Sequence, residues 1–83
     1  MAIHHADSGE VIDVRPLGDA IADTLTTTLY KSQKLEVFRM VMLAGKLMAE
    51  HSVVGELTVQ CLEGSIEFST GDTQQVMRPG DLI

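Results

Sequence analysis

The sequence has one cysteine and few basic residues, and each shortage excludes a class of protein. Cys61 is the single cysteine among 83 residues, so the chain can form neither an internal disulfide nor a zinc site built from its own cysteines. Six Lys and Arg residues stand against twelve Asp and Glu residues, and the formal net charge is −6. Because nucleic acids and anionic membranes are bound through clustered basic residues, this composition disfavours both as partners.

Long apolar runs are also missing. The longest apolar stretch, residues 37–47, is interrupted by Arg39 and Lys46, so the sequence predicts no transmembrane helix. Residues 1–10 contain four His, Asp and Glu residues where a secretory leader has an apolar run, and we therefore expect a cytoplasmic protein. A chain this short buries only about 60% of its unfolded surface, so we expect that oligomerisation or further strands stabilise it.

The sequence does contain a series of short β-type segments. Apolar and polar residues alternate in residues 57–62 and 65–69, while residues 35–43 carry apolar side chains on both faces of an extended strand. Residues 11–15, 24–31 and 73–78 are also β-type, and residues 17–23 are suited to one helical turn. Short strands separated by glycine-containing turns about every 8–12 residues are typical of an antiparallel sandwich or barrel. The sequence therefore predicts an all-β domain.

One segment resembles the first conserved motif of the cupin family. That motif runs from a Gly through a His-x-His pair and a Glu to a closing Gly. Here five residues separate Gly45 from His51, and Gly64 stands at the closing position, in the run Leu-Glu-Gly. A glycine suits this place because a tight reversal of the sheet favours a positive φ.

A second segment is similar to the Pro-Gly-Asp turn that opens the second cupin motif. It lies in residues 77–83 and contains Pro79 and Gly80, with a positive φ expected at the glycine. The two motifs together imply an antiparallel double-stranded β-helix, the jelly-roll cupin barrel. They also imply a division into an N-terminal extension, residues 1–34, and a barrel core, residues 35–83, whose last strands would lie beyond Ile83.

The sequence departs from the family at the positions that bind metal. In metal-binding cupins two His and one Glu of the first motif, with a His of the second, hold a divalent ion. Here His51 is retained, but Val53 stands at the second His position and Leu57 at the Glu position, and neither side chain can donate a lone pair. Glu56 lies one residue away, on the opposite face of an extended strand. We therefore expect no conventional metal centre and no cofactor.

Together with the resemblance, these observations predict a small cupin barrel, non-catalytic or ligand-binding, whose ligand is small and mostly apolar, and they leave open whether it is an enzyme. The expected pocket consists of His51, Val53, Leu57, Val59 and Cys61. Two alternatives stay open: a metal-dependent cupin enzyme of the dioxygenase, isomerase or decarboxylase class, using a divalent transition metal, and a structural module that serves to dimerise. Small cupins commonly pair through their sheets, so the resemblance also implies a homodimer, consistent with the two apolar faces of residues 35–43.

Overall fold

A computed structural model describes residues 5–48 and 55–83 of the chain, which divides into two units, Met1–Met48 and Ala49–Ile83. The described part is of the all-β class, with two antiparallel sheets of two strands each and one short 3₁₀ helix. Its elements are the 3₁₀ helix η1 (Gly18–Asp23) and the strands β1 (Thr27–Lys31), β2 (Glu36–Arg39), β3 (Ile66–Thr70) and β4 (Thr73–Met77). The boundary after residue 34 that the resemblance implies stays a prediction.

In the first unit, β1 and β2 form a hairpin with a bulge. Ser32 closes the turn between them, because its Oγ accepts hydrogen bonds from the backbone N–H groups of Lys34 and Leu35. The register shifts between Thr28 and Tyr30. The residue in between, Leu29, accepts a hydrogen bond at its carbonyl from the N–H of Ala6 at 2.8 Å. The N-terminal segment is thereby joined to the edge of β1.

Strand β2 is shorter than the apolar pattern of residues 35–43 predicts. It ends at Arg39, and two residues later the N–H of Val41 donates to the hydroxyl oxygen of Thr26 at 2.9 Å. That hydroxyl also lies 3.5 Å from the Val41 carbonyl oxygen, to which it donates. A threonine side chain thus takes the place of a backbone partner and ends the ladder.

The segment before η1 is not a strand, although residues 11–15 have β-type composition. Asp13 accepts hydrogen bonds at Oδ1 from the backbone N–H and from Nε of Arg15, at 2.9 and 3.0 Å. Such a local bond offers the backbone an alternative to a sheet ladder. The helical turn predicted at residues 17–23 is present as η1, preceded by Leu17 without a side-chain cap. Among the described residues, no helix has the length and apolar character needed to cross a bilayer.

The second unit contains the β3–β4 hairpin. Its register runs from Ile66 opposite Met77 to Thr70 opposite Thr73, so a two-residue loop, Gly71 and Asp72, connects the strands. Gly71 has a φ of +54°, whereas no non-glycine residue in the described ranges has a positive φ. A glycine with positive φ at the first loop position, followed by a residue with negative φ, is typical of a type II′ turn.

Candidate functional site

The candidate site lies in the second unit, where the ends of the two motif-like segments meet. The backbones of Val59 and Ile83 exchange two hydrogen bonds of 2.9 Å, and the N–H of Cys61 donates to the carbonyl of Asp81 at the same distance. Gln60 and Leu82 form the antiparallel bridge between them. Residues 59–61 and 80–83 therefore run side by side as a short ladder.

The turn that leads into this ladder is fixed by side-chain and backbone bonds. Asp81 Oδ2 accepts a hydrogen bond from the N–H of Arg78 at 2.8 Å, and the Asp81 N–H donates back to the Arg78 carbonyl at 2.9 Å. Gly80 has the positive φ that the turn prediction requires, +92°. Its N–H donates to the Cys61 carbonyl at 2.7 Å, so the turn is directly bonded to the neighbouring segment.

Two apolar side chains are buried among the described residues, and both belong to this unit. Cys61 is 5% exposed and Met77, at the end of β4, is 3% exposed. The Cys61 thiol lies 3.5 Å from the carbonyl oxygen of Glu63 and 3.6 Å from that of Gly64, which are weak sulfur hydrogen bonds. The thiol is free and buried, as expected for a cysteine that packs as a small hydrophobic residue.

The predicted pocket residues fall into two groups. His51 and Val53 lie outside the described residues. Leu57 is 49% exposed, Val59 is half-buried and Cys61 is buried, so burial along this segment increases toward the ladder. A pocket around His51 therefore stays a prediction.

The predicted turn glycines of the first motif both adopt a positive φ. The value is +81° at Gly45, in the turn formed when the N–H of Lys46 donates to the Leu43 carbonyl, and +69° at Gly64. Nothing lies within 4 Å of a Cβ built on either residue, so backbone conformation rather than space explains the glycine. Within residues 5–48 and 55–83 the structure brings no three His, Cys, Asp or Glu side chains together as possible metal ligands.

A charged cluster in the first unit was not found by sequence reasoning. Arg15 contacts both carboxylate oxygens of Asp13, with Nη2 3.0 Å from Oδ2, and Arg39 Nη2 donates to the backbone carbonyl of Arg15 at 3.0 Å. The Arg15 side chain, followed by its backbone N–H, lowers the pKa of the Asp13 carboxyl below its usual range. The spacing Asp-x-Arg before a proline was the available signal, since an Asp commonly accepts a bond from the N–H two residues on.

No protein-family model matches the chain, and no curated protein is significantly similar to it in sequence.

Proposed function

We propose that the chain is a small cupin-like domain that binds a small, mostly apolar ligand beside His51 without a conventional metal centre. The observation that carries the proposal is the ladder between residues 59–61 and 80–83. It joins the end of the first motif-like segment to the Pro-Gly-Asp turn of the second. A jelly-roll barrel requires such a pairing of segments distant in sequence, and closure of the sheet would remove its exposed edges.

The chemistry beside the ladder favours an apolar ligand. The side chains of the expected pocket that belong to the described residues are Leu57, Val59 and Cys61, none of which carries a charge. Binding pockets for small molecules are commonly apolar with a few polar groups that orient the ligand. His51 would supply that polar group, since an imidazole both donates and accepts hydrogen bonds near neutral pH.

The test is the binding of 8-anilinonaphthalene-1-sulfonate, a probe with an apolar aromatic body and one sulfonate group, followed by NMR of the histidine imidazoles. We expect the His51 ring resonances to shift on titration, and His51→Ala to weaken probe binding about tenfold, the usual effect of a loss of 1.4 kcal/mol. His5→Ala is the matched control, because His5 is exposed and lies outside the proposed pocket. Equal binding by the wild type and His51→Ala would contradict the proposal. If native mass spectrometry found one transition metal per purified chain, the ligand-binding proposal would be abandoned in favour of the metal-dependent enzyme.

A second candidate is a structural module that assembles through its sheets. It is favoured by the exposure of large apolar side chains on both faces of β2, namely Val37 and Phe38. Exposed apolar surface of this kind marks interaction sites in folded proteins. This candidate needs no pocket. Because the probe also binds exposed apolar surface, the two functions are distinguished by the shift of the His51 resonances and by the effect of His51→Ala, and not by probe binding alone.

A further inference from the structure

Strand β1 belongs to a segment with the composition of self-pairing β-peptides. Residues 24–30 consist of four Thr, two Leu and one Tyr, without a charged residue, a Pro or a Gly. Segments of six or seven residues with high β-propensity, little charge and no Pro pair with copies of themselves when they are exposed. An open edge along β1 is therefore an aggregation hazard for the chain.

The two strands of the hairpin differ in what protects them. Strand β2 carries a charge at each end, Glu36 and Arg39, and charged residues commonly protect an edge strand. Strand β1 carries one charge, Lys31, at its last residue. Residues 27–30 are nevertheless half-buried, whereas three of the four β2 residues are exposed. Some part of the first unit therefore covers β1 without covering β2 to the same extent.

The cover is a segment that precedes β1 in the sequence, residues 6–15, which we call the guard. The N–H of Ala6 donates to the Leu29 carbonyl at 2.8 Å, at the register shift of β1. Ala6 is half-buried, whereas residues 7–11 are exposed. Because the Leu29 carbonyl already accepts a bond from the guard, this point of the edge is closed to another strand.

Arg39 fixes the other end of the guard. Its Nη2 donates to the backbone carbonyl of Arg15 at 3.0 Å and to that of Asp13 at 3.4 Å. Arg39 ends β2 and is paired with Thr27, the first residue of β1. The guard is therefore fixed at the middle of β1 and again at the end of the hairpin where β1 begins. Both fixed points lie within the first unit, Met1–Met48.

We propose that the guard keeps the edge of β1 closed, and that its release opens residues 24–30 to strand-by-strand pairing with other released chains. Loss of one backbone hydrogen bond changes an equilibrium by about two- to tenfold, so release of the guard is a local event that leaves both sheets folded. The pairing is a property of the opened chain and not an oligomeric state of the folded one. The inference does not depend on the ligand-binding proposal.

The test is the rate at which the full chain assembles at one protein concentration, followed by thioflavin T fluorescence. Ala6→Pro lacks the N–H that the Leu29 carbonyl accepts. We expect this variant to assemble about tenfold faster than the wild type, with an unchanged circular dichroism spectrum before assembly. In the wild type, an Ala6 amide that exchanges its hydrogen as fast as an exposed amide would overturn the proposal.

Ser8→Pro is the matched control. Ser8 precedes Gly9 in the turn that the Glu10 N–H closes by donating to the Asp7 carbonyl at 2.9 Å. Gly9 has a φ of +84°, as the third residue of a type II turn requires, and a Pro is common at the second. Ser8→Pro should therefore assemble at the wild-type rate. Equal rates in the wild type and both Pro variants contradict the guard.

A second change locates the segment that pairs. Leu25→Lys, added to Ala6→Pro, should return assembly to the wild-type rate, because a charge within a self-pairing segment interrupts it. Leu25 is 79% exposed, so the fold should tolerate the lysine. Leu47→Lys makes the same change at a 96% exposed position outside residues 24–30 and should leave the faster rate unchanged. If both lysines slow assembly equally, net charge controls it and the proposal is wrong.

Discussion

Arg15 and Asp13 form a charge pair in which the guanidinium contacts both oxygens of the carboxylate. Two nitrogen atoms of one guanidinium lie 3.0 Å from the two oxygens of one carboxylate, and the backbone N–H of Arg15 adds a third bond. All three bonds are stronger to the ionised carboxylate than to the neutral acid, so folding lowers the pKa of Asp13. The pair is therefore a reporter of local structure in residues 11–15, a segment that the sequence pattern alone describes as a strand.

We predict that Arg15→Met raises the pKa of Asp13 toward the ordinary Asp value of about 3.9. The largest cause of the lowered pKa is the side-chain hydrogen bond from Arg15, which this change removes. Arg15→Lys keeps the charge without the paired donors, so its effect should be intermediate. The measurement is an NMR pH titration of the Asp13 side-chain carbon. An unchanged pKa in both variants would show that the charge pair does not form in solution.

The lowered pKa of Asp13 also determines the direction in which the stability of the fold changes with pH. Because the carboxyl has a lower pKa in the folded chain than in the unfolded chain, Asp13 stabilises the fold at pH values above the unfolded pKa. That contribution is lost as the pH falls through the lowered, folded pKa. Asp13→Asn should therefore be less stable than the wild type at neutral pH. The two should have the same stability under strongly acidic conditions, where both side chains are neutral.

At the scale of elements, the β3–β4 hairpin depends on one loop residue. Thr70 and Thr73 are paired, so the two loop residues alone reverse the chain, and the first of them has a φ of +54°. An L-residue with a side chain at that φ meets its own carbonyl, at a cost of about 1–2 kcal/mol. The loop thus fixes the register that places Met77 opposite Ile66.

We predict that Gly71→Ala destabilises the chain by about 1–2 kcal/mol, the cost of a positive φ at a residue with a side chain. Nothing lies within 4 Å of a Cβ built on Gly71, so any loss comes from the backbone and not from a clash. Asp72→Ala is the matched control in the same loop, and its negative φ should limit its effect to about 0.5 kcal/mol. Urea unfolding followed by circular dichroism measures both. Equal losses of stability in the two variants would show that the positive φ at residue 71 is not the cause of the destabilisation.

The sequence predicted which elements form more accurately than it predicted the residues at which they begin and end. The hairpin at residues 66–77 and the helical turn at 18–23 lie within about one residue of the predicted segments, because alternation and glycine positions are local signals. The end of β2 was not predictable in the same way, since it depends on Thr26, fifteen residues before its partner Val41. The candidate site was predictable only as a list of residue types, because the ladder beside it joins residues about twenty positions apart.

At the scale of the whole molecule, few of the described side chains are buried. Cys61 and Met77 form the buried apolar core of the described residues, and both lie in the second unit. A domain of this length has a free energy of unfolding of about 4–12 kcal/mol, at about 0.05–0.15 kcal/mol per residue. With so small a core, a single buried side chain accounts for a large share of that total, and any ligand or second copy that binds only the folded chain would add to it by mass action.

We therefore predict that Met77→Ala destabilises the chain by about 2–5 kcal/mol, the range for removing a buried Met side chain. Val76→Ala is the matched control on the same strand, because Val76 is exposed and pairs with Glu67 on the other face. Its loss should stay below about 1 kcal/mol, the range of strand propensity. Thermal and urea unfolding of both variants, at one protein concentration, give the comparison. If the two losses were equal, Met77 would not be buried in solution, and the second unit would lack the core on which both the ladder and the proposed pocket depend.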